Sequence, residues 1–132
     1  MRLLKGSERV TITSKAPGKL FIAGEYAVVE PGHGAIVAAV SRYLTVTIDE
    51  ATTVGTLTST QNPDVIVEWT REEELFRAKE DHPYKLVEEA ILVAEQYVRE
   101  CGTPTNALYS LSITSELDDA KRGIKYGLGS SG

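Results

Sequence analysis

The 132-residue chain has the length of one ordinary domain, and its 42% apolar and 25% charged residues are the balance of a folded globular protein, not of a disordered or fibrous one. With 14 Lys and Arg against 19 Asp and Glu, the net charge of −5 argues against a general attraction to nucleic acid or anionic membrane, though not against a local phosphate site. A single cysteine, Cys101, cannot form an internal disulfide, residues 1–6 lack a secretory signal, and no stretch approaches the roughly 20 apolar residues of a spanning helix, so a cytoplasmic setting is expected.

Residues 10–13 and 20–23 read as two short strands, separated by Pro17-Gly18 and closed by Gly24. After the turn Glu30-Pro31-Gly32-His33-Gly34 comes a small apolar run, 35–40. Residues 43–48 then alternate, with Leu44, Val46 and Ile48 on one face and Tyr43, Thr45 and Thr47 on the other, the pattern of a half-buried strand. Residues 56–60 and 65–69 are further strands flanking the turn-forming Asn62-Pro63-Asp64.

The period changes at residues 83–100. Apolar residues at Tyr84, Val87, Ile91, Ala94 and Val98, with Ala90 beside them, define one helical stripe, and Glu88, Glu89, Glu95 and Arg99 lie off it. Pro83 suits the first helical position, and Gly102 with Pro104 supplies the stop. Tyr109, Leu111 and Ile113 alternate with Ser110, Ser112 and Thr114 in a last strand, followed by the polar segment 116–121 and a loop. The class expected from this order is α+β.

Gly127-Leu128-Gly129-Ser130-Ser131-Gly132 is suited to wrap a phosphate, because residues without Cβ let backbone N–H groups converge on an anion. The hydroxyls of Ser130 and Ser131 add donors, and a serine in such a loop can also ligate Mg²⁺. Lys121, Arg122 and Lys125 make the approach basic, or simply form a solvated loop. Alone the stretch satisfies G-x-G-x-x-G, a pattern shared by dinucleotide folds, protein kinases and ordinary turns. A dinucleotide site needs an apolar strand running into the loop, and residues 121–126 are not one. His33 reads as a turn residue, His82 as a helix-start residue, and Trp69 and the tyrosines as core or rim and not a stacking platform for bases.

A second motif narrows the choice. Ala16-Pro17-Gly18-Lys19-Leu20-Phe21-Ile22-Ala23-Gly24-Glu25-Tyr26-Ala27-Val28-Val29-Glu30-Pro31-Gly32, taken with Lys125-Tyr126 and the glycine loop, resembles the GHMP kinases, the family of galactokinase, homoserine kinase, mevalonate kinase and phosphomevalonate kinase. The resemblance runs from about Thr11 to Gly132. Tyr26, Gly132 and the run Arg42-Tyr43-Leu44-Thr45-Val46-Thr47-Ile48 look like the bacterial phosphomevalonate branch, with the mevalonate branch as the alternative.

The resemblance implies an N-terminal, ATP-binding portion, a mostly antiparallel or mixed sheet with one amphipathic helix, and transfer of the ATP γ-phosphoryl group to phosphomevalonate. It assigns Lys19 to catalysis and substrate positioning, Glu25 and Tyr26 to the acceptor substrate, and Gly127, Leu128, Gly129, Ser130, Ser131 and Gly132 to ATP. Ser131, with Ser130 as alternative, would be the Mg²⁺ ligand. It also implies that the chain breaks off inside the phosphate loop. A C-terminal portion with the acidic Mg²⁺ ligand and a catalytic aspartate would be needed as a partner, so the chain alone is expected to be inactive. A folded module that binds without catalysis is the reading from a different class.

Overall fold

The computed structural model describes residues 9–78, 81–119 and 121–129. The β-branched and alternating segments build one six-stranded sheet from β1 (Thr11–Ala23), β2 (Ile36–Ala51), β3 (Gly55–Ser59), β4 (Val67–Glu72), β5 (Leu75–Ala78) and β6 (Leu108–Ser115). Among the described residues one α-helix, α1 (Lys85–Glu100), links β5 to β6, and a small hairpin of β7 (Asp118–Asp119) and β8 (Ile124–Lys125) follows. The spatial order is β1-β2-β6-β3-β4-β5. Every pairing is antiparallel except β3 with β6, which makes the sheet mixed and the class α+β.

The two short strands expected around Pro17-Gly18 are one 13-residue strand. Proline cannot donate to a ladder, but β1 is an edge strand and tolerates it at a break in the pairing. Residues 35–40 and 43–48 likewise merge into the 16-residue β2. At the same break Pro17 faces Tyr43 but Gly18 faces Val40, one step on β1 against three on β2, so Ser41 and Arg42 form a bulge. Beyond it, the first part of β2 pairs with β1 alone, and the two project from the sheet as a ribbon. Leu20 and Ile22 on one strand, and Ile36 and Val37 on the other, are exposed there.

Strand β5 was not expected from the pattern. It is reached by a two-residue turn in which Glu73 (φ 50°) and Glu74 (φ 68°) both take left-handed backbone, where Asn-Gly is the usual choice. The segment after β6, expected as a loop, folds into the β7–β8 hairpin.

The core lies between the sheet and α1, with Leu57, Val67, Trp69, Phe76, Tyr84, Ile91 and Leu111 buried. The Trp69 ring stacks on Phe76 at 4.5 Å and meets Tyr109 at 4.7 Å, and its indole N–H donates to the Tyr109 carbonyl at 3.1 Å. Helix α1 starts at Lys85, with Pro83 just outside it. Its N-terminus is held by buried His82, whose Nδ1 accepts the Tyr84 N–H at 3.1 Å. The Thr103 N–H returns to the Val98 carbonyl past Gly102, closing the helix where expected.

The buried face of α1 differs from the expected stripe. Ala90, Ala94 and Val98 are exposed, while Glu95, placed off the stripe, is buried. The reason is a partner outside the helix: Arg71 of β4 donates two hydrogen bonds of 2.7 Å to the Glu95 carboxylate, and the Tyr109 hydroxyl donates a third at 3.0 Å. Arg71 also donates to the Ala107 carbonyl and lies 5.0 Å from the centroid of Trp69. Hydrogen bonding and charge from Glu95 push the Arg71 pKa up. Burial, reinforced by Glu95, pushes the Tyr109 phenol up, so both groups keep their protons across the physiological range.

Removing one partner of a buried ion pair strands the other, so Glu95→Ala should lower stability by about 3–5 kcal/mol in urea unfolding, with Glu95→Gln milder. The Glu73→Asn, Glu74→Gly double variant relieves two left-handed glutamates and should raise stability by roughly 1–2 kcal/mol in the same measurement.

Candidate functional site

The two motifs meet at the free edge of β1, where the Lys19 backbone N–H donates to the carbonyl of Leu128, more than 100 positions away in sequence, at 3.0 Å. β6 lies on the far side of β2, so the chain between β6 and Leu128 has to cross the β1–β2 pair. It crosses at Gly18. A Cβ there would sit 2.7 Å from Leu117 Cδ2 and 3.1 Å from both Leu128 Cβ and Val40 Cγ2, so the absence of a side chain is what lets the loop approach.

Gly129 makes the matching contact. Its φ of +89° disfavours any residue with a Cβ, and a Cβ there would lie 3.1 Å from Lys19 Cγ and 3.2 Å from Cε. The Lys19 stem therefore lies across Gly129, and its ammonium stands 5.8 Å from the Phe21 ring centroid, two residues along the same strand face. An exposed cation is thus laid over glycine-rich backbone, an arrangement suited to an anion.

Of the residues expected in the site, Lys19, Gly127, Leu128 and Gly129 are brought together. Glu25 and Tyr26 are not. They lie in the turn past the far end of β1, before the 3-10 turn Ala27–Val29, and Tyr26 is 85% exposed. Ala23 is four strand residues from Lys19, about 13 Å at the usual rise of ~3.3 Å per residue, and among the described residues no hydrogen bond or ion pair links either side chain to Lys19. Ser130, Ser131 and Gly132 lie outside the described residues. Among the described residues no group of three or more His, Cys, Asp or Glu side chains could hold a metal ion. No helix among them is long and apolar enough to cross a membrane.

Sequence reasoning missed Gly18 and Leu117 as the crossing point. The small residue beside Lys19 was the available signal for the first, but nothing local marks the second.

No protein-family model matches the chain. Among curated proteins it is 36% identical to the phosphomevalonate kinase of Streptomyces sp. (strain CL190), in an alignment covering 92% of this chain and 35% of that one. The chain resembles phosphomevalonate kinases. Among solved structures, the Lin0012 protein of Listeria innocua superposes with a TM-score of 0.73 at 39% identity, covering 92% of this chain and 32% of that one. The Streptococcus pneumoniae phosphomevalonate kinase, solved with phosphomevalonate and AMPPNP, gives 0.69 at 27% identity over 90% of this chain and 32% of that one. The chain therefore spans about a third of the length of these relatives.

If the Gly18 crossing holds the loop, Gly18→Val should destabilise the protein by about 1–3 kcal/mol through overpacking. The Lys19 amide, hydrogen-bonded to Leu128, should be protected from hydrogen exchange in the parent protein and lose that protection in the variant. Retained protection would show that the crossing does not depend on Gly18.

Proposed function

We propose that the chain forms the N-terminal, nucleotide-phosphate side of a GHMP-type kinase that transfers the γ-phosphoryl group of ATP to phosphomevalonate, giving diphosphomevalonate and ADP. The observation that carries this reading is the convergence of Lys19 on the Leu128-Gly129 backbone. The phosphomevalonate kinase from Streptococcus pneumoniae, solved with both a phosphorylated acceptor and an ATP analogue, supports the choice of ligands.

Transfer between two anions requires close positioning and charge neutralisation. Lys19 supplies a fixed positive charge to the oxygens of the migrating group. The amides from Gly127 onward cradle the ATP phosphates, with Ser130 and Ser131 as further donors. Mg²⁺ would neutralise phosphate charge, with Ser131, or alternatively Ser130, as the protein ligand; its acidic ligands and the catalytic aspartate belong to a C-terminal portion. Glu25 and Tyr26 serve the acceptor from the end of the ribbon, where substrate and the rest of the kinase would close over them.

The ribbon itself supports the need for that portion. Leu20, Ile22, Ile36 and Val37 expose apolar surface on a two-stranded extension that a larger kinase would cover. We propose a cytoplasmic enzyme with no nucleic-acid or membrane partner, in line with the net charge of −5.

A coupled ADP-release assay on the full-length protein, offered phosphomevalonate, mevalonate and homoserine, should show turnover with phosphomevalonate. Preference for mevalonate would overturn the substrate assignment. Lys19→Met should lower kcat by about 10²–10³ with folding retained, the scale of losing one charge-stabilising donor, and an unchanged rate would remove Lys19 from the mechanism.

A further inference from the structure

The bulge in β2 aims one cation at the phosphate loop. Tyr43 is pinned on one side of it, its N–H donating to Glu116 Oε2 at 2.9 Å and its carbonyl accepting the Glu116 N–H at 2.9 Å. Val40 is pinned on the other side against Gly18. The two extra residues, Ser41 and Arg42, must loop out between these fixed points, and bulges of this kind re-aim a side chain. The Arg42 guanidinium comes to rest 5.7 Å from the centroid of the Tyr126 ring, within the range of a cation–π contact. Tyr126 immediately precedes Gly127.

The surroundings leave Arg42 with that ring as its partner. A cleft of about 320 Å³ is lined by Arg42, Glu116, Asp118, Asp119, Lys121 and Tyr126 among others. Its aspartates are engaged elsewhere: Asp118 accepts from Gln61 Nε2 at 2.7 Å, and Asp119 faces Arg122 Nε at 3.6 Å and accepts its backbone N–H. Among the described residues Arg42 makes no ion pair.

We infer that Arg42 is a positioning residue: by holding the Tyr126 ring it fixes the entry to the phosphate loop, beside the anchor that Leu128 makes on β1, and so raises affinity for the nucleotide. The nucleotide part rests on the function proposed above; the mechanical part does not. A glycine-rich loop has many conformations to lose on binding an anion, and fixing its entry at Tyr126 and Leu128 reduces that loss.

The test uses the full-length protein and two readouts. Trypsin cleavage after Lys125 reports the loop without any nucleotide, and should be about tenfold faster in Arg42→Ala, with Arg42→Lys intermediate. Titration with a non-hydrolysable ATP analogue, in the absence of acceptor, should show about tenfold weaker binding in Arg42→Ala. Tyr126→Phe, which keeps the ring, should bind as the parent does. Tyr126→Leu should match Arg42→Ala, and the double variant should be no worse than either single one, because the two residues act as one unit.

Parent-like cleavage in Arg42→Ala overturns the inference, as do additive losses in the double variant. If Tyr126→Leu does not fold, the cleavage rates of the two Arg42 variants still decide the question. A parent protein that binds the analogue but phosphorylates no phosphomevalonate would refute the substrate reading and leave Arg42 standing. One that binds no nucleotide would refute the nucleotide role of both.

Discussion

Among the described residues, one backbone hydrogen bond, from the Lys19 N–H on the outer edge of β1 to the Leu128 carbonyl, holds the candidate site together. An edge strand offers a row of unused donors and acceptors, and proteins ordinarily cover or blunt it. Here the glycine loop covers part of that edge, so the group that satisfies the strand also fixes the height of the loop above Lys19. Strand, lysine and loop are registered to one another by main-chain geometry, which does not depend on the rotamer of any long side chain.

That registration requires a path across the β1–β2 pair, and the path is made by omission. Gly18 removes a side chain at the one place where Leu117, Leu128 and Val40 converge. The neighbouring bulge, with its two additional residues on β2, accommodates the same break in pairing. Proline at position 17 fits this logic too, since a residue without an N–H is least costly where the ladder is already interrupted. The Arg71–Glu95–Tyr109 cluster does analogous work at the other end of the sheet, tying α1 to β4 and β6 through one carboxylate.

Much of this was legible from residue pattern. The alternation at 43–48 and 109–114 and the helix after Pro83 each carry a local signal, and each corresponds to an observed element. The failures share one cause, which is information held by residues distant in sequence. Glu95 looks solvated on a helical wheel because its partner Arg71 is on β4. Strand β5 has four residues, and Glu73-Glu74 stands where turn chemistry would normally announce a hairpin. The Arg42 bulge follows from Glu116 gripping Tyr43, a contact across 73 positions that no spacing rule encodes. Within the candidate site, Lys19, Leu128 and Gly129 are brought together as the two motifs suggested, whereas Glu25 and Tyr26 lie away from them.

The central position of β6 has a consequence for how the chain reaches this state. It is the last of the six strands in sequence but sits third in the sheet, between β2 and β3. Until residues 108–115 arrive, the β1–β2 hairpin and the β3–β4–β5 meander are two half-sheets, each with an open edge facing the other's missing neighbour. Such edges are where a growing chain pairs wrongly or with another copy of itself. β6 is rich in serine and threonine on its alternate positions, which keeps the joining strand soluble while its apolar face, led by Leu111, waits for both partners. Leu117 and Leu128 follow β6 in sequence, so the glycine-rich loop can reach Gly18 and Lys19 only after the residues that join the two half-sheets have been made.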